Sequence, residues 1–284
     1  MKLEDIELIS SIVHRRTGIV LGPQKDYLID TRLAPVARQF GHLSVEKLVQ
    51  SIRTGCKPAE DAAIESMTTN ETLFFRDKLP FENMTNVVIP ELFKKRSSSA
   101  PLRIWCAACS SGQEPYSLSM MLNEMGLGSN QVTILATDVS YSMVERAKNG
   151  IYSQFEVQRG LPSKFLDKYF IKEGLTWRIS PRLAERIEFR QLNLLDDFAY
   201  LGVFDIILCR NLLIYFDEVR KKDILRRLSK SMAQDGYLFL GAAETVLGLT
   251  TDVVPHATAK TIYVRADSHV AQQPFGATKV VAFR

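Results

Sequence analysis

Four stretches of the sequence place small or polar residues directly after an apolar run, where a sheet protein commonly binds its ligand. The first is the run of small residues at 107–112, which follows LRIWC and leads into a helix. Asp138, Asn193 and Asn211 follow the next three apolar runs. Backbone amides of such a turn can approach a nucleotide closely, and an acidic residue after the second strand can accept hydrogen bonds from both ribose hydroxyls. Together these positions predict a nucleoside-binding site.

Simpler structures account for single members of this set. The turn at 107–112 lacks the GxGxxG spacing of dinucleotide sites and the GK[ST] of a P-loop, so it does not predict pyrophosphate binding. Taken alone, it indicates only a tight strand-to-helix turn. Asp138 could instead cap the helix that starts at Tyr141. The predicted site therefore depends on the combination of three strand ends and one turn.

Cys106 and Cys109 have the spacing of a metal or redox pair. No second such pair and no nearby histidine completes a set of four ligands, and the four histidines form no HExxH or triad spacing. We therefore predict no metal site. The four cysteines are too few and too scattered for a disulfide framework, which agrees with a reducing compartment.

The elements that would position these residues begin at Leu102. From there, five short apolar runs alternate with helical stretches: LRIWC, VTILAT, RIEFR, FDIILC and YLFLG. This alternation predicts an α/β fold with a doubly wound, mostly parallel sheet. The segment between the second and third runs is longer than a crossover needs. Within it, residues 165–170 and 175–179 flank Lys172-Glu173-Gly174, which predicts a β-hairpin in an inserted β-subdomain at about 151–186.

The preceding residues have helical periodicity and no strand pattern, so residues 1–72 are predicted to form an all-α domain. Residues 73–100 are predicted to be a connection and a linker helix over about 80–95, which opens with Pro80. The sheet domain then covers 101–267. Residues 268–284 lack periodicity and are predicted to be a loose tail.

Composition excludes several classes of protein. With 46% hydrophobic and 24% charged residues, the chain matches a folded globular protein. A net charge of +4 is too small to indicate a nucleic-acid partner. No apolar run is long enough for a membrane-spanning helix, and the first residues contain no apolar signal-peptide core. We therefore expect a cytoplasmic protein without direct membrane insertion.

Six ordered stretches between residues 68 and 245 resemble the chemotaxis receptor methyltransferases of the CheR family, and the resemblance covers about residues 3–265. They are TTNETLFFRD (68–77), CAACSSGQEPYSLSM (106–120), ATDVS (136–140), NLLD (193–196), CRNLLIYF (209–216) and GAAET (241–245). The resemblance implies a Rossmann-like, S-adenosylmethionine-dependent methyltransferase sheet, an N-terminal all-α domain and a small inserted antiparallel β-subdomain. It also implies methyl transfer from S-adenosylmethionine to glutamate side chains in the cytoplasmic helical bundle of chemoreceptors, with S-adenosylhomocysteine as product.

The same resemblance implies which residues contact the cofactor: Asn70, Thr72, Arg76, Glu114, Asp138, Asn193, Leu194, Asn211 and Leu212. A glutamate with a pKa of about 4.3 is ionised at neutral pH, so its carboxylate needs no general base to accept a methyl group. Catalysis would then depend on orientation, for which Arg76 and Tyr215 are the candidate catalytic residues. Tyr215 could instead pack in the core, and Arg76 could bind only the cofactor.

Two features of the sequence bear on how the chain would recognise a chemoreceptor. The predicted hairpin turn at 172–174 is shorter than in family members that bind the receptor's C-terminal pentapeptide, so we expect no pentapeptide binding. Lys25 and Arg32 lie seven residues apart on one predicted helix face, with Arg38 nearby, and could guide an acidic helical bundle.

Two other functions fit the same sequence. These are a methyltransferase for a small molecule or RNA, and a noncatalytic adaptor that binds S-adenosylmethionine.

Overall fold

The computed structural model describes residues 1–22, 26–96, 100–257 and 259–272. The α-helices are α1 (Leu3–Thr17), α2 (Asp26–Gln39), α3 (Val45–Arg53), α4 (Lys57–Met67), α5 (Leu79–Asn83), α6 (Ile89–Lys95), α7 (Gln113–Glu124), α8 (Tyr141–Asn149), α9 (Gln154–Gln158), α10 (Ser163–Tyr169), α11 (Pro181–Ala184) and α12 (Glu218–Lys230). The strands are β1 (Leu102–Cys106), β2 (Val132–Asp138), β3 (Ile151–Ser153), β4 (Phe170–Glu173), β5 (Thr176–Ile179), β6 (Ile187–Gln191), β7 (Phe204–Cys209), β8 (Met232–Leu240), β9 (Val253–His256) and β10 (Ala259–Arg265).

The chain divides into two compact units. The first contains Met1–Thr69 and also Tyr215–Arg220, and the second contains Asn70–Ile214 and Lys221–Arg284. Sequence periodicity placed the end of the helical domain at residue 72, three residues beyond the end of the first unit's main segment. Nothing in the local sequence predicts that residues 215–220 belong to the first unit. This segment joins the first unit through an antiparallel bridge between Ile19 and Phe216.

The first unit is built from α1 to α4, as the apolar spacing predicted. In α3, four residues at helical spacing are buried, and the side chain of Ser44 caps the helix by accepting a hydrogen bond from the Lys47 amide. Gly18 ends α1 in the left-handed conformation, with φ of 80°. Helix α2 continues through Pro35 to Gln39, although a proline inside a helix removes one backbone hydrogen bond. The unit is therefore a packed set of amphipathic helices.

Within the first unit, Asp217 forms an ion-pair cluster. Its carboxylate contacts His14 Nε2 and Arg220 Nη1, each at 2.7 Å. Hydrogen bonds from the Arg220 amide and from His14 lower the pKa of Asp217 to about 2. Because the folded pKa lies below the ordinary value, this contribution to stability is present above the ordinary pKa and is lost as pH falls toward 2.

The second unit is organised by a seven-stranded sheet with the order β6-β2-β1-β7-β8-β10-β9. The first five strands in this order run parallel, whereas β10 pairs antiparallel with β8 and β9 pairs antiparallel with β10. The central strands are buried on both faces; β7, for example, is buried at every residue. The predicted fold class is therefore confirmed. Strand order reverses beside β1, which places the carboxyl ends of β1, β2 and β7 together at one edge.

The inserted subdomain is a three-stranded antiparallel sheet with the order β3-β5-β4, inside the predicted limits 151–186. The prediction that residues 165–170 form the first hairpin strand is wrong except at its last residue. Residues 163–169 form α10, because Phe165 and Tyr169 are spaced to bury one helix face and Pro162 precedes the helix. The β4–β5 turn contains only Gly174 and Leu175.

Gly160 lies in the insertion between α9 and α10, against the backbone of the connection. Its φ is +80°, and a Cβ atom built on it would lie 2.1 Å from the carbonyl oxygen of Phe74. Neither feature is compatible with an ordinary side chain. The Phe74 ring also contacts Tyr152 and Phe170 edge-on, with centroid distances of 5.0 Å and 5.6 Å. The connection is thus packed tightly against the inserted subdomain.

The predicted linker helix over about 80–95 is present but is not a single α-helix. A π-helical turn, Met84–Val88, separates α5 from α6, and Pro90 lies in the first turn of α6.

At the other end of the chain, the predicted tail begins with packed residues. His269–Gln272 form a short 3₁₀ helix, and Val270 is buried. Residues 273–284 lie outside the described part of the chain.

Candidate active site

The candidate site lies at the carboxyl edge of the parallel strands in the second unit. Asp138 is the last residue of β2 and is buried. Its Oδ2 accepts a hydrogen bond from the Ser110 amide at 2.8 Å, and its Oδ1 accepts one from the Ser140 amide at 3.0 Å. Ser110 has a φ of 47°, so the β1–α7 turn bends sharply at this residue. Asp138 therefore holds the small-residue turn against the end of β2.

Asp138 does not cap α8. The N-cap of α8 is Ser140, whose hydroxyl accepts a hydrogen bond from the Met143 amide at 3.1 Å. The capping alternative considered from the sequence is therefore wrong. A second feature of the turn is Gly112, which has a φ of 94° and precedes α7. A Cβ atom at Gly112 would lie 2.9 Å from the Cβ of Ala147, so the glycine permits close packing of the turn on α8.

A buried ion network lies beside this turn. Arg210, directly after β7, donates from Nη1 to Glu114 Oε2 at 2.7 Å and from Nη2 to Asp77 Oδ2 at 2.8 Å. Its Nη2 also donates to the carbonyl oxygen of Arg76 at 2.9 Å. The Arg210 side chain is only 2% exposed. Burial raises the pKa of Glu114, and the neighbouring guanidinium groups of Arg210 and Arg76 oppose that rise.

The connection between the helical domain and the sheet contributes further residues to this edge. The carbonyl oxygen of Asn70 accepts a hydrogen bond from Ser110 Oγ at 2.8 Å, and the Phe75 amide donates to Ser117 Oγ at 2.9 Å. Phe75, Asp77 and Lys78 have φ values of 51°, 66° and 32°, so the chain turns through an uncommon conformation here. This turn brings Arg76, which donates to the Glu71 carbonyl oxygen at 3.0 Å, next to Glu114. Thr72, in the same segment, is half-buried.

The other predicted residues lie in two loops at the same edge. Asn193 follows β6, and its Oδ1 accepts a hydrogen bond from the Leu195 amide at 3.0 Å; Leu194 is buried. Asn211 follows β7 with a φ of 57°, and Leu212 is half-buried. The structure therefore places all nine predicted cofactor residues within the second unit, along the strand ends and the connection.

Tyr215 ends the 3₁₀ turn Leu213–Tyr215 and is half-buried. It belongs to the first unit, where its carbonyl oxygen accepts a hydrogen bond from the Val20 amide at 2.9 Å.

Family models match almost the whole chain. Residues 4–68 match the CheR methyltransferase all-alpha domain, and residues 70–262 match the CheR methyltransferase SAM-binding domain. The chain belongs to the CheR family. It is a methyltransferase with S-adenosylmethionine as its cofactor. This CheR chain supplies a fitting set of polar groups: a carboxylate at the end of β2, amide side chains after β6 and β7, and the Arg76 guanidinium.

Curated relatives of this CheR chain cover most of its length. Chemotaxis protein methyltransferase 1 of Pseudomonas aeruginosa is 46% identical, and the aligned region covers 86% of this chain and 91% of that protein. Chemotaxis protein methyltransferase Cher2 of Pseudomonas putida is 44% identical, with the same coverage of both chains. The chemotaxis protein methyltransferase of Escherichia coli is 34% identical over 83% of this chain and 82% of that protein.

Sequence reasoning missed two polar residues of the CheR site, Arg210 and Glu244. Arg210 stands in the quoted stretch CRNLLIYF, and Glu244 stands in GAAET. The Glu244 carboxylate accepts hydrogen bonds from the backbone amides of Asn211, Leu212, Leu213 and Gly241, at 2.6–2.8 Å. A signal was available for Arg210, because a charged residue directly after an apolar strand requires a partner when it is buried. Glu244 lies further along the loop after β8, so it had no such signal.

Within the described residues, no group of three or more histidine, cysteine or acidic side chains is arranged to hold a metal ion. Burial raises the pKa values of Cys106, Cys109 and Cys209 well above the ordinary value. The thiols at this edge of the CheR sheet therefore act as small apolar groups. No helix in this same set of residues is long and apolar enough to span a membrane.

Proposed function

We propose that this chain transfers a methyl group from S-adenosylmethionine to glutamate side chains of chemoreceptors in the cytoplasm, forming glutamate methyl esters for sensory adaptation. The observation that carries the proposal is the identity of 46% to a named chemotaxis protein methyltransferase across 86% of the chain. The geometry supports it, because the family's polar positions all occur at one edge of the sheet.

The proposed cofactor contacts follow the chemistry of each group. Asp138 accepts hydrogen bonds from the ribose hydroxyls, and the Arg76 guanidinium binds the carboxylate of the cofactor's amino-acid part. Asn193, Leu194, Asn211 and Leu212 contact the cofactor from the two loops after β6 and β7. Asn70, Thr72 and Glu114 complete the set from the connection and from the start of α7.

Catalysis in this proposal rests on orientation. S-adenosylmethionine supplies a methyl group already activated by a sulfonium. A carboxylate oxygen of the receptor glutamate forms the new bond to the methyl carbon, while the carbon–sulfur bond breaks and its electron pair remains on sulfur. Since the glutamate is ionised at neutral pH, no residue has to remove a proton. Arg76 and Tyr215 orient the carboxylate, and the buried Glu114–Arg210 pair keeps the edge of the sheet rigid.

The proposed partner is the receptor's helical bundle, without use of its C-terminal pentapeptide. The two-residue β4–β5 turn, Gly174-Leu175, supports this absence of a tether. The three basic residues suggested for docking, Lys25, Arg32 and Arg38, differ in how far the structure supports that role. Lys25 lies outside the described residues, and the Arg32 guanidinium already donates to the carbonyl oxygens of Met67 and Thr68, at 2.9 Å and 3.1 Å. Arg38 is exposed and remains a candidate.

Incubation with labelled S-adenosylmethionine and receptor-containing membranes tests the proposal. We expect label on the receptor that mild base releases, as a carboxyl ester requires. Excess C-terminal pentapeptide should leave the rate of labelling unchanged. S-adenosylhomocysteine at one hundred times its dissociation constant should stabilise the fold by about 2.7 kcal/mol. Base-stable label would favour another substrate class, whereas ligand binding without any labelled acceptor would favour a noncatalytic adaptor.

A further inference from the structure

The carboxylate of Glu244 joins two loops at the candidate active site. Oε1 accepts hydrogen bonds from the amides of Leu212 and Leu213, at 2.8 Å and 2.7 Å, and Oε2 accepts them from Asn211 and Gly241, at 2.8 Å and 2.6 Å. Glu244 is 8% exposed. All four interactions are charge-assisted hydrogen bonds to backbone, which are stronger than neutral ones.

Backbone conformation explains how one carboxylate reaches four donors. Asn211 has a φ of 57°, so the amides of residues 211–213 converge into a concave anion site. The fourth donor, Gly241, follows the last residue of β8, and β8 pairs in parallel with β7 at Cys209 and Leu240. The two loops therefore begin side by side, and a side chain three residues after Gly241 reaches across to the amides.

The same arrangement brings the side chain of Asn211 close to Gly241. A Cβ atom at Gly241 would lie 2.7 Å from Asn211 Nδ2 and 2.9 Å from the Asn211 amide nitrogen, so only glycine leaves room for this approach. Glu244 thus sets the backbone of residues 211–213, and Gly241 allows Asn211 to lie against it. Of these residues, Asn211 and Leu212 are the ones assigned to the cofactor under the proposed function.

We propose that Glu244 is a positioning residue for cofactor binding, which holds the Asn211–Leu212 loop in its binding conformation before the cofactor arrives. The inference rests on the proposed function, in which this loop contacts the cofactor. The Glu244 carboxylate accepts hydrogen bonds from the backbone amides of this loop and of Gly241. Its effect on the reaction passes through the position of the loop.

The test is Glu244→Gln, which keeps the shape of the side chain but replaces one acceptor oxygen by an NH₂ group that faces two backbone donors. We expect affinity for S-adenosylhomocysteine, measured by calorimetry, to fall by about tenfold to a hundredfold. The KM for S-adenosylmethionine should rise by a similar factor, and the KM for the receptor should stay unchanged. Wild-type affinity in the folded variant would overturn the inference.

Asp205→Asn is the matched control. Asp205 is a buried carboxylate at the amino end of β7, and its Oδ2 accepts a hydrogen bond from the Arg103 amide at 2.7 Å. Its substitution should lower the melting temperature without changing affinity for S-adenosylhomocysteine. Equal losses of affinity in both variants would show a general effect of stability and would also overturn the inference.

Hydrogen exchange in the unaltered protein provides a test that requires no variant. The amides of residues 212 and 213 should be protected before any ligand is added, because Glu244 already binds them. Rapid exchange that becomes slow only with S-adenosylhomocysteine would show that the ligand orders the loop. Calorimetry measures ligand binding and hydrogen exchange measures the order of the loop, so neither depends on receptor methylation. Failure of receptor methylation with intact ligand binding would refute the proposed substrate alone.

Discussion

Arg210→Ala should lower the free energy of unfolding by about 3 to 5 kcal/mol, the usual cost of removing one partner from a buried ion pair. The Arg210 side chain is 2% exposed and donates to Glu114, Asp77 and the Arg76 carbonyl oxygen. Its loss leaves the Glu114 carboxylate buried without its hydrogen-bonded counter-charge. Urea unfolding followed by circular dichroism measures the change.

The pH dependence of this loss has a defined sign. Burial raises the folded pKa of Glu114 above its ordinary value, so the ionised carboxyl destabilises the folded state most at pH values above the folded pKa. The difference in free energy of unfolding between Arg210→Ala and the wild type should therefore shrink as pH falls through the folded pKa of Glu114. It should be smallest below the unfolded pKa of glutamate, where the carboxyl is protonated in both states.

Two variants check the assignment to buried charge. Arg146→Ala breaks the ion pair with Glu156, but the Arg146 side chain is 43% exposed, so it should cost only about 0 to 1 kcal/mol. Adding Glu114→Gln to Arg210→Ala should recover part of the lost stability, because the orphaned charge is removed. A double variant whose loss equals the sum of the two single losses would contradict this account.

Arg76→Ala should reduce kcat/KM for S-adenosylmethionine by about tenfold to more than a hundredfold, the loss expected for one charged hydrogen-bonding partner. The fold should change little. The side chain is half-buried, and Arg210 bonds to the Arg76 main-chain carbonyl, which the substitution retains. Initial rates with a receptor substrate give the activity, and urea unfolding gives the stability.

Arg226→Ala is the control for this variant. Arg226 lies on α12 and pairs with Asp223 at the surface, so its loss should leave both rate and stability near those of the wild type. Near-normal turnover by folded Arg76→Ala would exclude the proposed role of Arg76. A large loss of stability would instead assign Arg76 to the structural network around Arg210.

The sequence predicts elements well where local periodicity and burial agree. Helix α3 buries four apolar residues at helical spacing, and β7 is apolar except for Asp205, so each has one plausible structure. Residues 165–169 were assigned wrongly because a short stretch of mixed apolar and charged residues fits a strand or a helix equally well. Packing decides that case: Phe165 and Tyr169 are both buried, and each ring lies 5.6 Å from the other.

The site was predicted where a polar residue ends a strand, as at Asp138. The polar partners were missed because they come from distant parts of the chain. Arg210 bonds to residues 96 and 133 positions away, and Glu244 bonds to amides 31 to 33 positions away. The parallel pairing of β7 with β1 and β8 brings Arg210 near Glu114 at the start of α7, and Glu244 near the loop after β7. Such pairing has no signature in local composition.

The close approach of Gly160 to Phe74 constrains any exchange of the inserted subdomain between homologous chains. A Cβ atom at position 160 would meet the Phe74 carbonyl oxygen at 2.1 Å, and a backbone oxygen cannot move aside as a side chain can. A chimera that imports residues 151–186 from another chain must therefore bring a glycine at this position. Otherwise the donor's connection segment has to be transplanted with it, and with that segment come Arg76 and the turn around it.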